Sequence, residues 1–543
     1  MARQICQWLL PVSIVGLCCL LYWPLHNAGW RFDDGHHLLF ASRYSPWQYF
    51  FVPEIARLQS GAHFTPFNVL VYELCLKFGD DFPQAGYLFH FGLVLAIGGL
   101  VWRYVRISCG DKGAAWISTL LFVTGFPVIG ATNMLMVGHY LIGAVFFLLF
   151  LLRYETYSRH RRGPDVVLCV VYFLACLSKE IYVVAPAVIL LDRRPASRIF
   201  HVIALGATLV VFWLVRSLVL HRLVGSYDNQ LGGDQWGESV WQLLSGGLGY
   251  FLAFPVGYAL AVMIGIVGLL ASVNMWRQRG WLGGSSAVVL FFLACLGPLL
   301  PVAGAMDPGN YSGVRWLFFP WLAFSLIAGS VAIRSPNTLG LGRLVVTACA
   351  AISLCYSIGY GYSSGFARES QRFDVLSRYV FDRDACHLVD SQGLSSWIAD
   401  LARAGNISRS DWMVAPEPVL HALALKGTPI CRHEEGSLRF AGIVNPDRVH
   451  KDLQSSLSLA IVYTGTHATI QFQSALKGRL AFYKPGQYLL YLAPNVSYPL
   501  PNPERFNHFQ PVVIGEDGVT VIVGPLIDFS PLVPGTWRWE RRV

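Results

Sequence analysis

Two adjacent carboxylates open the first long polar stretch of the chain, in Trp30-Arg31-Phe32-Asp33-Asp34-Gly35-His36-His37. A carboxylate set against apolar surface holds its proton more tightly and can take one from a hydroxyl nucleophile. The same pair offers oxygen ligands to a divalent cation. The plainer alternative is an N-cap, with Asp33 or Asp34 starting an amphipathic helix over 35–42. A second group is Lys179-Glu180, at a break between two apolar runs. Ionisable residues in that setting mark functional sites, unless they merely snorkel to the interface. Arg216 lies within an apolar run and Arg315 begins another. Two arginines at one membrane level suit a lipid phosphate, whose oxygens a guanidinium binds bidentately; taken singly, each reads as an interfacial anchor. His63, His90 and His139 fall on the same side in the topology below, where each alone reads more readily as a packing histidine than as a ligand.

The elements that must position these residues are apolar helices. The chain has 543 residues, of which 54% are hydrophobic and only 13% charged, against about 25% charged in soluble domains. The mean hydropathy of +0.47 agrees. The net charge of +9 is spread in short clusters between apolar runs, which excludes a nucleic-acid-binding face. A spanning helix needs about 20 mostly apolar residues. Eleven runs qualify, near 5–24, 85–104, 114–131, 133–152, 164–178, 180–192, 199–220, 256–275, 284–304, 316–333 and 342–361. The short runs 164–178 and 180–192 read as a hairpin turning at Ser178-Lys179-Glu180. Residues 240–255 are apolar but Gly-rich and read as a re-entrant or interfacial helix. The first run lacks an AxA-like cleavage site, so it reads as a span rather than a signal peptide.

Orientation follows from the basic residues of the short loops. Arg3, Arg103, Arg106, Lys112, Arg153, Arg159, Arg161, Arg162, Arg193, Arg194, Arg198, Arg277, Arg279, Arg334 and Arg343 all fall on one side, which is therefore cytoplasmic. Residues 25–84, the turns at 131–133 and 178–180, the loops at 221–240 and 305–315, and everything after 362 are then outside. Asp33, Asp34, His63, His139, Lys179, Glu180, Arg216 and Arg315 share that outer side.

The expected fold class is an α-helical polytopic membrane protein over 1–361, followed by a C-terminal extracytoplasmic α/β or α+β domain over 362–543. In the tail, His387-Leu388-Val389 and Trp412-Met413-Val414 read as strands and 394–404 and 418–425 as helices. Strands follow at 457–463, 469–473, 486–492 and 519–523. Most of the 12 Cys lie in apolar runs and act as small hydrophobes. No CxxC pair occurs, and Cys386 and Cys431 stand apart in the polar tail, able to pair if that region is extracytoplasmic. Asn310, Asn406 and Asn495 lie in N-x-S sequons on the outer side.

Four ordered patterns resemble the GT-C superfamily of polyprenyl-phosphate-sugar-dependent glycosyltransferases, most closely the O-mannosyltransferase-like, family-39-like branch. They are Phe32-Asp33-Asp34 after the first run, and His63-Phe64-Thr65-Pro66-Phe67 with Phe78-Gly79, Pro83 and His90. Then come Leu177-Ser178-Lys179-Glu180 with Pro186 and Asp192, and Gly313-Val314-Arg315-Trp316-Leu317-Phe318-Phe319-Pro320. The likeness covers 1–361; no single motif is specific, and their order carries it. This sequence departs in having Phe64-Thr65 where Arg commonly precedes Pro, Val314 where Glu commonly precedes Arg, and Asn133 and His139 in place of an acidic residue.

The resemblance implies transfer of a sugar from a polyprenyl-phosphate donor to a protein or glycan acceptor at the outer face. Asp33 would be the general base. Asp34 would orient it or, with Asp33, hold a possible divalent cation. Arg315, Arg216 and Lys179 would bind the donor phosphate, with Glu180, His63 and His139 supporting. A lipid-linked-sugar transporter or flippase would use the same basic groove, and an O-antigen polymerase or ligase is the other alternative. The short cytoplasmic loops point to a bacterial inner membrane with a periplasmic site and C-terminus; an ER membrane is the alternative.

Overall fold

The computed structural model describes residues 2–221, 236–279, 311–332 and 340–381, with short breaks at 61–62, 80–81, 158–163, 192–197 and 253–254, together with a few positions between 295 and 306 and the elements named below within 386–541. The chain divides into two compact units. One comprises Met1–Ala28, Ser45–Ala56 and Gly61–Ser370; the other comprises Gly29–Tyr44, Arg57–Ser60 and Gln371–Val543.

The first unit is helical. Among the described residues, six helical stretches are long and apolar enough to cross a membrane: Gln84–Cys109, Leu135–Thr156, Ile199–Leu220, Pro255–Val273, Gly313–Val331 and Leu341–Phe381. A seventh is broken, with Lys112–Val123 and Phe126–Thr132 meeting at 55°. The break falls at Gly125-Phe126-Pro127, where proline suits the first turn of a new helix but not the interior of an old one. The protein is thus a mostly helical membrane protein with six or seven such spans among the described residues, where eleven were expected. The run at 5–24 is helix Ala2–Tyr22, the side chains of whose first nine residues are outside the described set. The run at 164–178 is a 13-residue helix, Val166–Ser178. The run at 180–192 becomes a 3-10 turn, Glu180–Val184, and a short helix, Pro186–Leu191. The run at 284–304 lies largely outside the described residues, as do all three sequon asparagines. Residues 240–255 belong mostly to helix Trp236–Leu252.

Burial separates the spans. Leu135–Thr156 and Gly313–Val331 are mostly buried, whereas Ile199–Leu220 and Pro255–Val273 are mostly exposed. Their exposed side chains are apolar, among them Ile203, Val210, Leu214 and Leu218 in the first and Val262 and Leu269 in the second. Apolar surface of that extent is stable against lipid rather than water. Rings knit the interior. Phe319 packs on Phe147 at 5.1 Å and on Tyr182 at 4.8 Å, and Phe126 packs on Phe251 and Tyr356 at 5.0 and 4.9 Å. Polar staples finish the helix ends. Asp111 caps Lys112–Val123 by accepting from the Gly113 and Ala114 amides, and it also pairs with Arg343. Asp165 caps Val166–Ser178 and pairs with Arg153 at 2.8 Å.

The second unit carries the sheets. Strand His387–Val389 runs parallel to Val414–Ala415 and Pro429–Glu434, and the latter pairs antiparallel with Ser437–Ile443. Helix Glu417–Leu423 buries Val419 and Leu420 in a core that also holds Ala415, Ile430, Ala481, Val512 and Val521. A second sheet joins Gly478–Lys484, Tyr488–Leu492, His508–Gly515 and Thr520–Val523, with His450–Lys451 at one edge. A third joins Leu457–Tyr463 to His467–Ser474 and Gly535–Arg541. Strands fall on the expected stretches 387–389, 457–463, 469–473, 486–492 and 519–523 in whole or in part, whereas Pro429–Glu434, Ser437–Ile443, Gly478–Lys484, His508–Gly515 and Gly535–Arg541 were not expected; 394–404 apart from Leu401, and most of 412–414, lie outside the described residues.

Cys386 and Cys431 are disulfide-bonded, with Cα atoms 5.8 Å apart and a sequence separation of 45. Closing a loop of that length removes entropy from the unfolded chain worth about 4 kcal/mol. Cys386→Ser is therefore expected to lower stability of the tail by that order. Reducing and non-reducing thermal melts of wild type and Cys386→Ser measure it, and equal melts for all would refute it.

Candidate functional site

Within the first unit, the turn after helix Val166–Ser178 gathers charge. Lys179 is extended, ending one helix and preceding the 3-10 turn Glu180–Val184, so two consecutive ionisable side chains leave the backbone at a break. Glu180 is the centre of the group. Its Oε1 accepts from Arg216 Nε at 3.3 Å, and its Oε2 lies 3.5 Å from His63 Nδ1 and 3.7 Å from Lys179 Nζ. Arg216 and Lys179 are buried, at 1% and 6% exposure. The Arg216 guanidinium lies 5.4 Å from the Trp213 ring, and Lys179 Nζ lies 5.4 Å from the Tyr140 ring. Arg315, on the 3-10 segment Tyr311–Leu317, stacks on Trp316 at 5.0 Å, and its charge is felt at Lys179. His139 is buried, with its ring 4.9 Å from that of Tyr140.

Of the residues expected from sequence, Lys179, Glu180, Arg216 and His63 are brought into direct contact, and Arg315 acts electrostatically on the same group. His139 reaches it only through Tyr140. Glu180, expected in a supporting role, holds Arg216 and His63 as well as Lys179. Tyr140 and Trp213 were missed. They are unremarkable aromatics in apolar runs, and only the packing places cations over them.

Burial pushes the Lys179 ammonium down to about 8; Glu180 opposes the shift, and Arg315 and Arg216 add to it. Burial, followed by the charge of Lys179, holds His63 below the usual histidine range against the pull of Glu180. The folded chain thus releases the Lys179 proton before the unfolded chain, whose lysine titrates near 10.5. Between those values the unfolded state binds more protons, so this group's contribution to stability rises as pH rises from about 8 to 10.5. Anion binding has the opposite sign, because the cation is lost over the same rise. Lipid-phosphate binding is expected to weaken as pH rises through about 8 in wild type and to be flat there in Lys179→Met. A binding titration series across that pH checks it, and a flat wild-type profile would refute it.

The acidic pair lies in the second unit. Helix Asp34–Arg43 follows Asp33, which occupies the N-cap position without a side-chain cap bond. The capping alternative therefore does not account for Asp33. Asp33 is exposed, not set against apolar surface as expected, whereas Asp34 is wholly buried. Asp34 Oδ2 accepts from the Arg31 amide at 2.6 Å, and the Asp34 amide donates to the Arg31 carbonyl at 2.9 Å. Asp34 thus closes the turn, and Asp33 is the carboxylate left facing outward. Phe32 between them and Arg31 has φ +47°, a conformation bulky side chains rarely adopt. His37 is half-buried; burial of its ring and then neighbouring His36 push its imidazole down to about 3, so it stays neutral.

Among the described residues, no group of three or more His, Cys, Asp and Glu side chains stands ready for a metal. With one Asp34 oxygen committed to the backbone, the pair offers chiefly Asp33 to a cation. That donor set does not fit a cage built from protein ligands alone, and no step below runs through a cation.

The chain matches no protein-family model, no curated protein and no solved structure.

Proposed function

We propose that the chain is a membrane glycosyltransferase that moves a hexosyl or pentosyl unit from a polyprenyl-phosphate donor to a protein or glycan acceptor on the non-cytoplasmic side. The observation that carries this reading is the pair of buried cations Lys179 and Arg216 on the carboxylate of Glu180, with the half-buried Arg315 acting electrostatically on Lys179. A buried cationic group of this kind favours an anion, and a lipid-linked phosphate reaches a group at the outer ends of apolar helices without leaving the bilayer. The Cys386–Cys431 disulfide supports an oxidising location for the tail, as expected of a periplasm or an ER lumen. The short cytoplasmic loops favour the bacterial inner membrane of the two.

In the proposed reaction Asp33 takes the proton of the acceptor hydroxyl. The oxygen attacks the anomeric carbon through an oxocarbenium-like state. The bond from that carbon to the phosphate oxygen breaks, and its electron pair leaves with the polyprenyl phosphate. Arg216, Arg315 and Lys179 stabilise the charge that develops there, as fixed cations do in a site of low dielectric. Glu180 keeps the cations from repelling one another apart.

The same cationic group would serve a transporter of the same lipid-linked sugar, and it is the observation that keeps this second reading. The two part at the acidic turn, which a transporter does not require. The test is mass spectrometry of envelope glycans and glycoproteins from cells lacking the gene, with and without wild-type complementation. A sugar mass that disappears and returns identifies the acceptor; an unchanged set of glycans would end the transferase reading.

A further inference from the structure

Three consecutive backbone amides precede the strained residue Phe32, and side chains hold all three. Asp374 Oδ1 accepts from the Gly29 amide at 2.8 Å, Ser377 Oγ from the Trp30 amide at 3.0 Å, and Asp34 Oδ2 from the Arg31 amide at 2.6 Å. Two of the three acceptors come from one face of helix Gly365–Phe381, where Asp374 and Ser377 are three residues apart. The same Asp374 binds Arg31 in a fork. Nε donates to Oδ1 and Nη2 to Oδ2, each at 2.7 Å, and Arg31 and Asp374 are both buried. The Phe32 ring lies 5.0 Å from Phe373 of that helix. At Gly29 an added Cβ would come within 2.8 Å of Ser377 Cβ and 3.1 Å of Asp374 Cα, so the close approach requires glycine.

An isolated turn would not keep Phe32 at positive φ, because that conformation persists only where its surroundings over-determine it. Here a planar charge-assisted fork, three hydrogen bonds from backbone amides and a ring contact do so. The next residue is Asp33, exposed and without a cap bond. We infer that Asp374 and Ser377 are positioning residues that set the direction of Asp33, and that helix Gly365–Phe381 completes the acidic turn. The inference rests on the reading of Asp33 as the base. It gives helix Gly365–Phe381 a part in the chemistry.

The test uses full-length protein and two readouts. Hydrogen exchange followed by mass spectrometry reports the amides of 29–34, and sugar addition in complemented cells at matched membrane levels reports function. In Asp374→Ala, exchange at 29–34 is expected to rise about tenfold or more, since bonds to charged groups are the strong ones, and sugar addition is expected to be lost. Asp374→Asn keeps an acceptor for Gly29 but loses the charge, and it should restore part of both. Ser377→Ala frees one amide only and should survive where Asp374→Ala does not fold; its expected effect is faster exchange at Trp30 and reduced addition. Unchanged exchange in these variants would overturn the inference. So would faster exchange with full sugar addition in cells where Asp33→Asn abolishes it, an outcome that leaves the base assignment standing. If Asp33→Asn itself supports full addition, the base assignment falls, and the positioning role falls with it.

Discussion

Replacing Asp33 with asparagine is expected to lower sugar transfer by about 10²–10⁴-fold, the usual worth of a positioned general base. It is expected to leave folding untouched. The side chain is exposed and makes no cap bond, so asparagine, of nearly the same shape, disturbs nothing that holds the turn. Asp34→Asn separates differently. Asp34 is buried and bonded to the Arg31 amide, which an asparagine oxygen can still accept, so a modest loss is expected from altered geometry rather than from a missing base. The measurement is the sugar mass recovered in complemented cells, with membrane levels and melting temperature recorded alongside. Full recovery with Asp33→Asn would remove the acidic turn from the chemistry and advance the transporter reading. A collapse of membrane levels would show Asp33 to be structural.

Removing Glu180 is expected to produce the largest effect on stability. It is the carboxylate that Arg216, Lys179 and His63 share at 3.3–3.7 Å, and both Arg216 and Lys179 are buried. Breaking a buried charge group by deleting one partner costs about 3–5 kcal/mol, because the remaining charges lose the compensation that made burial tolerable. Glu180→Ala should therefore melt well below wild type in detergent and lose the lipid-phosphate site. Glu180→Gln keeps hydrogen-bond acceptance without the charge and should fall between. Glu180→Ala combined with Arg216→Met should regain much of the stability, since replacing both partners of a buried pair by apolar groups is often neutral. A double-mutant cycle on thermal unfolding measures this. Additive effects of the two substitutions would show that the pair contributes no coupling.

Much of this arrangement was legible in the sequence for a simple reason. In a chain so poor in charge, an ionisable residue within or between apolar runs stands out, and burying it is costly without a partner. Lys179, Glu180 and Arg216 were found that way, and the structure joins them. His63 entered through the resemblance and its place in the outer stretch, and it too touches Glu180. Arg31, Asp374 and Ser377 were not found, although all three are polar. They lie in ordinary polar sequence, Asp374 and Ser377 more than 340 residues from the turn they hold, and nothing local relates them to it. Whether an apolar run stays straight was less legible. Hydropathy reports how apolar a run is, not whether it stays straight. Gly125 and Pro127 therefore break one run into two helices, and Val166–Ser178 ends after 13 residues at a polar turn.

The sequence by itself determined that this is a helical membrane protein with a sheet-forming tail, and which few charged residues the apolar runs would have to accommodate. Composition and periodicity are sums over neighbours in the chain, and such sums suffice for these properties. Tertiary structure alone decided which of two adjacent aspartates is buried and which faces outward, and that one glutamate compensates several cations. It also decided that the acidic turn is clamped by a helix more than 330 residues further along the sequence. Each of these depends on contacts between residues distant in the chain, where direction and distance, rather than residue type, set the energy.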